Sequence, residues 1–168
     1  VIKAVDDYQD LLRISVASAG NDHRLGAAEA PPAILSLFLG EELTGILESI
    51  ENDTACDVRE KELFKVGVHA LPRFPKDTTD RNRTSPFAFT GNKFEFRMVP
   101  SSGCIADANI VLNSIAADAL EAFADELEKA ENFESAMHAL VRREMTAHQR
   151  IIFNGNGYTD EWVAEAAR

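Results

Sequence analysis

Residues 86–98 read PFAFTGNKFEFRM, and this stretch determines the fold in the middle of the chain. Two aromatic runs flank Gly91-Asn92, which is typical of a turn between two paired strands. Side chains alternate between the two faces of a strand, so apolar and charged residues separate after the turn. The apolar set is Phe94, Phe96 and Met98, and the charged set is Lys93, Glu95 and Arg97.

The charged face of this strand would present a cation, an anion and a second cation at fixed spacing. Such a row suits a carboxylate, a phosphate and a metal ion. The alternative is an amphipathic surface strand whose charges form a salt ladder, and exposed ion pairs of that kind contribute little stability. The pattern alone leaves both interpretations open.

Helical patterns lie on both sides of the strand pair, so the predicted fold class is α+β, with antiparallel strands mid-chain flanked by long helices. A turn is expected at Gly20-Asn21-Asp22, and a short strand near Phe64–His69. We expect five helices: one within residues 3–19 that leads into a loop, one that has Pro31-Pro32 at its first positions and continues to Ile50, a long one from near Ala106, one capped by Asn132 and a last one from Asp160.

Composition limits the class of protein and its partners. The 168 residues fit one domain, with 45% apolar and 27% charged side chains. A net charge of −11 argues against nucleic acid and anionic membranes as partners. Two cysteines outside any CxxC pair favour a reducing compartment, so we expect a cytoplasmic protein. Because the chain opens on Val1 and stops within a helical pattern, we expect a piece of a longer protein.

Three blocks of sequence carry a resemblance to a known family. Residues 80–97 read DRNRTSPFAFTGNKFEFR, residues 23–32 read HRLGAAEAPP, and residues 154–162 read NGNGYTDEW. Together they resemble the glutamine synthetase family, and the type III branch most of all. The resemblance implies that residues 1–168 are a C-terminal part of the catalytic domain, and that the mid-chain strands and helices belong to that domain.

The resemblance also implies roles for the charged strand and the sequence before it. Glu95 resembles a metal ligand, for Mg²⁺ or Mn²⁺, whose partner ligands lie upstream of this chain. Arg97 resembles the residue that binds the substrate side-chain carboxylate and then the phosphoryl group. Arg83 resembles the arginine that contacts the nucleotide phosphates. Lys93 occupies a place where the family often has another nucleotide-site cation, although simple solvation is the alternative.

Two residues of the 23–32 block resemble the substrate flap. Arg24 would bind the α-carboxylate of glutamate, and Glu29 would attract ammonium and accept a proton from it. Alternatively, Glu29 is an acid at a helix N-terminus, favoured by the helix dipole. The spacing from Arg83 to Glu95 is shorter than in the commoner type I pattern, and Ala88 stands where a further nucleotide-binding arginine is expected.

The four histidines do not form a metal cluster by spacing. His138 and His148 fall on a helical segment, where we expect surface or partly buried positions. The other two are His23, next to the flap block, and His69.

The resemblance implies an enzyme that uses ATP to join glutamate and ammonium through a γ-glutamyl phosphate. It further implies a homo-oligomer of stacked rings, and a segment that is inactive alone because the nucleotide loop and other metal ligands are missing. Two alternatives stay open. One is a non-catalytic assembly or regulatory module, and the other is a γ-glutamyl ligase that uses a different amine.

Overall fold

The computed structural model describes residues 1–27, 30–54, 63–64, 74–75 and 82–166. Helices lie on both sides of short strands in the chain order, which confirms the predicted α+β class. The helices are α1 (Ile2–Asp7), α2 (Gln9–Ile14), α3 (Ala19–Arg24), α4 (Glu41–Glu51), α5 (Ile105–Leu127), α6 (Phe133–His148) and α7 (Asp160–Ala166), with a 3-10 turn at Gln149–Ile151. The strands are β1 (Leu37–Phe38), β2 (Leu63–Phe64), β3 (Phe74–Pro75), β4 (Phe87–Phe89) and β5 (Phe94–Phe96).

The predicted strand pair around Gly91-Asn92 is present. β4 and β5 pair antiparallel, with Phe87 opposite Phe96 and Phe89 opposite Phe94. The ladder continues beyond the strand ends, because the Thr90 amide donates to the Lys93 carbonyl at 2.9 Å and the Arg97 amide to the Pro86 carbonyl at 2.8 Å.

The three-stranded sheet has the order β1-β4-β5, and β1 runs parallel to β4. The sheet is therefore mixed rather than antiparallel throughout. A second, two-stranded pair joins β2 and β3 antiparallel. β2 includes Phe64, where a short strand was expected, and the remainder of that predicted strand lies outside the described residues.

The prediction of one helix from Pro31-Pro32 to Ile50 is wrong in its first half. Leu37 and Phe38 form β1, and helix α4 begins only at Glu41. The apolar spacing of this segment satisfies a buried strand followed by a helix as well as it satisfies one long helix. Gly40, with φ of +81°, lies between the two elements, and this backbone conformation suits glycine and ends any continuous helix.

The N-terminal segment forms two helices where one helix leading into a loop was expected. Residues 3–19 divide into α1 and α2 at Tyr8, and the expected turn at Gly20-Asn21-Asp22 is the short helix α3. Ser18 caps α3, because its hydroxyl accepts the Asn21 amide at 3.2 Å. A capped first turn therefore outweighs the turn preference of the glycine and asparagine.

The C-terminal helices begin close to the positions that were predicted from the sequence. α5 begins at Ile105, one residue before the expected start, and α7 begins at Asp160. Asn132 caps α6 as predicted, with its side-chain oxygen accepting the Ser135 amide at 3.0 Å. In the part of the chain that is described, no helix is both long and apolar enough to span a membrane.

The main apolar core joins α1, α2, β1, β4 and α5, and a smaller cluster lies between α1 and α5. Leu12, Leu37 and Met98 are completely buried at the centre of the main core. Leu37 also connects the core to the C-terminal part of the chain, because its carbonyl accepts a hydrogen bond from the Phe153 amide at 3.0 Å. The buried members are Val5, Leu12, Val16, Leu25, Leu35, Leu37, Leu39, Phe87, Met98, Ala108 and Ile151.

Candidate functional site

Lys93, Glu95 and Arg97 lie on one face of the sheet, as the alternation predicted. The Lys93 Nζ atom is 3.7 Å from Glu95 Oε1, and Arg97 Nη2 is 3.2 Å from Glu95 Oε2. Both cations therefore meet the same carboxylate. Side-chain exposure falls along the row, from 66% at Lys93 to 39% at Glu95 and 23% at Arg97.

The opposite face of the strand pair is aromatic. Phe87 meets Phe94 and Phe96 edge-to-face, at ring centroid distances of 5.8 and 5.5 Å. An apolar cavity of about 420 Å³ lies between this face and helix α5, and Asn109 is its one polar lining side chain. Such a lining offers no charged side chain to a phosphate or a metal, so the polar face carries the candidate site.

Arg97 is the most firmly positioned member of the row. Its Nη1 group donates to the backbone carbonyl of Asn82, and its Nη2 group donates to Glu95. Its own amide is held by Pro86 in the strand ladder. These contacts fix the plane of the guanidinium, and a guanidinium has further N–H donors beyond the two used here.

Arg24 is joined to the same strand from helix α3. Its Nε group donates to the Asn21 side-chain oxygen at 2.9 Å, and its Nη2 group donates to the Met98 carbonyl at 2.9 Å. Met98 directly follows Arg97 in the chain, so Arg24 lies beside the end of the charged row. Sequence reasoning missed Asn21, which is buried and also donates to the Met98 carbonyl at 3.0 Å.

Arg83 lies in the turn that connects Asn82 to Thr84, and it is exposed to solvent. The carbonyl of the residue before it, Asn82, accepts the bond from Arg97. The backbone of Arg83 is therefore adjacent to the charged row. Glu29, the predicted flap acid, lies outside the described residues.

The charged row supplies part of a metal site. Mg²⁺ and Mn²⁺ take several oxygen ligands, and Glu95 offers one carboxylate that also contacts two cations. Among the described residues, the group of three potential ligands that lie close enough to share an ion does not include Glu95. Glu95 fits the role of a single metal ligand, and the remaining oxygens have to come from outside these residues.

That other group consists of Asp6, Asp7 and His148. His148 Nδ1 lies 2.7 Å from Asp6, and Arg150 Nε donates to Asp6 at 2.8 Å. Asp6 is buried and already has two partners, so these contacts form a polar network that joins α1 to the end of α6. His138 is exposed, as expected, whereas His148 is buried, where a surface or partly buried position was expected. The Asp6–His148 pair could not be predicted from local sequence patterns, because 142 positions separate the two residues in the chain.

Comparison with known proteins shows which family the chain is similar to. A model of the glutamine synthetase C-terminal domain matches residues 136–168. The chain is 47% identical over 165 residues to a type-3 glutamine synthetase of Dictyostelium discoideum, an alignment that covers 96% of the chain and 22% of that protein. It is 46% identical over 175 aligned positions to a glutamine synthetase of Bacteroides fragilis, covering all of the chain and 24% of the relative.

A third relative gives the same result. The chain is 47% identical over 182 aligned positions to a glutamine synthetase of Butyrivibrio fibrisolvens, again with the whole chain and 24% of the relative covered. The chain spans less than a quarter of the length of these curated relatives. The matches confirm the resemblance to the glutamine synthetase family, and to its type III branch, that the sequence motifs predicted.

Proposed function

We propose that the protein of which this chain is part joins ammonium to glutamate at the expense of ATP, through a γ-glutamyl phosphate. The observation that carries the proposal is the charged row on β5, with Arg97 held by Asn82 and Glu95 and with Arg24 beside the end of the row. A carboxylate is a poor electrophile until one of its oxygens becomes part of a phosphate leaving group. Both steps therefore place negative charge where fixed cations stabilise it.

Arg97 is proposed to bind the γ-carboxylate of glutamate and then the phosphoryl group. Two of its donors are occupied by protein atoms, which orients the guanidinium before substrate arrives. The remaining N–H groups can bind two oxygens in one plane. Such a preorganised cation stabilises charge as it develops without the cost of reorienting.

Arg83, Lys93 and Glu95 are proposed to serve the nucleotide. Arg83 is exposed next to the Asn82 carbonyl that holds Arg97, so it can meet a phosphate without losing a partner in the core. Lys93, at 66% side-chain exposure, is a flexible cation at the outer end of the row. Glu95 would be one ligand of a Mg²⁺ or Mn²⁺ ion that neutralises phosphate charge when bound.

Arg24 and Glu29 are proposed to bind the amino-acid substrate and ammonium. Arg24 is supported by its bonds to Asn21 and Met98, which place it beside Arg97. The role of Glu29 rests on its match to the family motif. In the whole protein, the remaining metal ligands and the nucleotide loop would come from sequence outside this chain, and the subunits would form stacked rings. A cytoplasmic location stays a prediction from the cysteine usage.

One observation favours the non-catalytic alternative. Glu95 contacts both cations of its row, as a purely structural salt ladder would. The anchoring of Arg97 argues against that reading, because a surface ladder does not need a partly buried guanidinium that donates to a backbone carbonyl of a neighbouring turn. The use of an amine other than ammonium is the second alternative, and it is tested by replacing ammonium with methylamine.

The test is steady-state phosphate release by the full-length protein with ATP and a divalent cation. We expect release to require both glutamate and ammonium, and methylamine to replace ammonium poorly. Arg97→Lys keeps the charge and loses the planar grip, so turnover should fall about a hundredfold to a thousandfold. Arg142→Lys, at an exposed position on α6, is the matched control and should be unaffected.

Release that needs glutamate but prefers methylamine would favour the other ligase. If Arg97→Lys kept normal turnover while the protein stayed folded, the charged row would be structural.

A further inference from the structure

We propose that the loop of residues 154–158 is a positioning element for the candidate site, and that Thr84 is the positioning residue through which it acts. The proposal rests on the proposed function for its kinetic consequences. It is carried by contacts between this loop and the turn of residues 82–84, which bears Arg83 and holds Arg97.

Thr84 connects the turn to the loop through a single hydroxyl. Its Oγ1 atom donates to the Asn82 side-chain oxygen at 2.7 Å and accepts the Gly157 amide at 2.8 Å. The Thr84 amide donates to the same Asn82 oxygen at 2.9 Å. The hydroxyl therefore joins the internal bonding of the turn to the backbone of a loop 73 residues away.

Asn82 makes the second connection between the turn and the loop, and it also binds Arg97. Its side-chain amide donates to the Gly155 carbonyl at 2.8 Å, and its backbone carbonyl accepts from Arg97 Nη1. Gly155 and Gly157 of the loop thus bind the 82–84 turn, and the same turn binds Arg97 through the Asn82 carbonyl. A shift of the 154–158 loop would move the carbonyl that orients the guanidinium.

The loop also contacts the segment that follows Glu29 in the sequence. The Tyr158 hydroxyl donates to the Ala30 carbonyl at 2.9 Å. Gly157 is buried between the two segments, and a Cβ atom there would lie 3.0 Å from Pro32 Cγ and 3.1 Å from the Thr84 carbonyl oxygen. Neither neighbour is the flexible end of a side chain, so a Cβ atom would fit only if the proline ring or the backbone shifted by a few tenths of an ångström.

The base of the loop is fixed to the fold. The Asn154 side-chain oxygen accepts the amides of Leu39 and Gly40 at 3.0 and 3.1 Å, and its amide donates to Thr44 at 2.8 Å. The preceding Phe153 packs against Trp162, with ring centroids 4.4 Å apart. A loop anchored in this way can transmit the geometry of β1 and α4 to the 82–84 turn.

The test uses Thr84→Val in the full-length protein, because valine keeps the shape and removes both hydrogen bonds of the hydroxyl. Thr84→Ser keeps the hydroxyl and is the rescue variant. Thr146→Val is the matched control, since its exposed hydroxyl also lies within hydrogen-bond distance of two partners, the Glu51 carboxylate and the Arg142 carbonyl, and donates its one hydrogen to either.

A misplaced reacting group lowers turnover more than binding, so Thr84→Val should lose about tenfold to a hundredfold in kcat with KM values within about threefold. Thr84→Ser should recover most of that loss, and Thr146→Val should be normal. Normal kcat in Thr84→Val, or a loss that serine does not recover, would overturn the proposal.

Amide hydrogen exchange over residues 82–98 separates this inference from the proposed function. Faster exchange in Thr84→Val, but not in Thr146→Val, is expected whether or not the protein proves to be a glutamate–ammonia ligase. If wild type released no phosphate with glutamate and ammonium, the proposed function would fail, and exchange would decide the positioning claim alone. Unchanged exchange in Thr84→Val would overturn that claim.

Discussion

Substituting Asn21 with alanine tests how the fold connects Arg24 to the charged strand. Asn21 is 1% exposed, and its side-chain amide donates to the carbonyls of Val16 and Met98 at 2.6 and 3.0 Å. Its oxygen accepts from Arg24. Alanine removes all three bonds, and the Val16 carbonyl loses its side-chain donor, whereas Met98 keeps the donor from Arg24.

The magnitude follows from these contacts. A buried acceptor left without a donor costs about 1–3 kcal/mol. The bond to Arg24 adds roughly 1 kcal/mol, since that side chain is partly exposed and water can replace the oxygen. We therefore expect Asn21→Ala to lower the free energy of unfolding by about 2–4 kcal/mol.

Urea unfolding of the chain, followed by circular dichroism, measures the change. Asn113→Ala is the matched control, because Asn113 is exposed on α5 and its side-chain amide donates to the preceding helical turn, at the Asn109 carbonyl. That control should change stability by less than about 0.5 kcal/mol. Equal unfolding midpoints for the two variants would refute the reasoning that Asn21 is a buried connector.

Three further predictions concern the substrates and pH. Calorimetric titration of this chain with Mg–ATP should give no binding in the micromolar range, because the described residues supply one carboxylate ligand; micromolar binding would contradict this. In the full-length protein, Glu29→Gln should raise the KM for ammonium while leaving acyl phosphate formation intact, and unchanged ammonium kinetics would exclude the proposed role. Arg143 lowers the pKa of Glu126 below its ordinary 4.5 by hydrogen bonding, so this pair stabilises the fold above that pH and ceases to do so as pH falls through the lowered value. Thermal unfolding should therefore show that Arg143→Ala lowers Tm at pH 7 but not at about pH 2; a difference that is independent of pH would contradict the pairing.

The parts of the fold that sequence reasoning found are those with strong local signals. The alternation around Gly91-Asn92 predicted the β4–β5 pair, and the Asn132 cap predicted the start of α6. Where the signal was ambiguous, the prediction was wrong. The segment after Pro31-Pro32 has helical spacing, yet β1 forms there because Leu37 pairs with Phe87 and with the C-terminal part of the chain.

In the candidate site, too, features with a local sequence signal were predicted and features that depend on tertiary structure were not. Alternation was enough to predict that Lys93, Glu95 and Arg97 share a face. Local patterns do not show which backbone carbonyls hold the arginines, because Asn82 and Met98 act through atoms that every residue has. Only tertiary structure brings Arg24 within reach of Met98, 74 residues later.

In the proposed reaction, the γ-phosphoryl group of ATP is transferred to the γ-carboxylate of glutamate with release of ADP, and ammonia then displaces phosphate from the acyl phosphate. Glutamate labelled with ¹⁸O in its γ-carboxylate, incubated with the full-length protein, ATP and ammonium, tests this directly by mass spectrometry of the phosphate released. Phosphoryl transfer forms a bond to one labelled oxygen, and attack by ammonia breaks the bond between the carbonyl carbon and that oxygen. We predict one ¹⁸O atom in each phosphate and one in each glutamine amide; phosphate free of label would contradict the account.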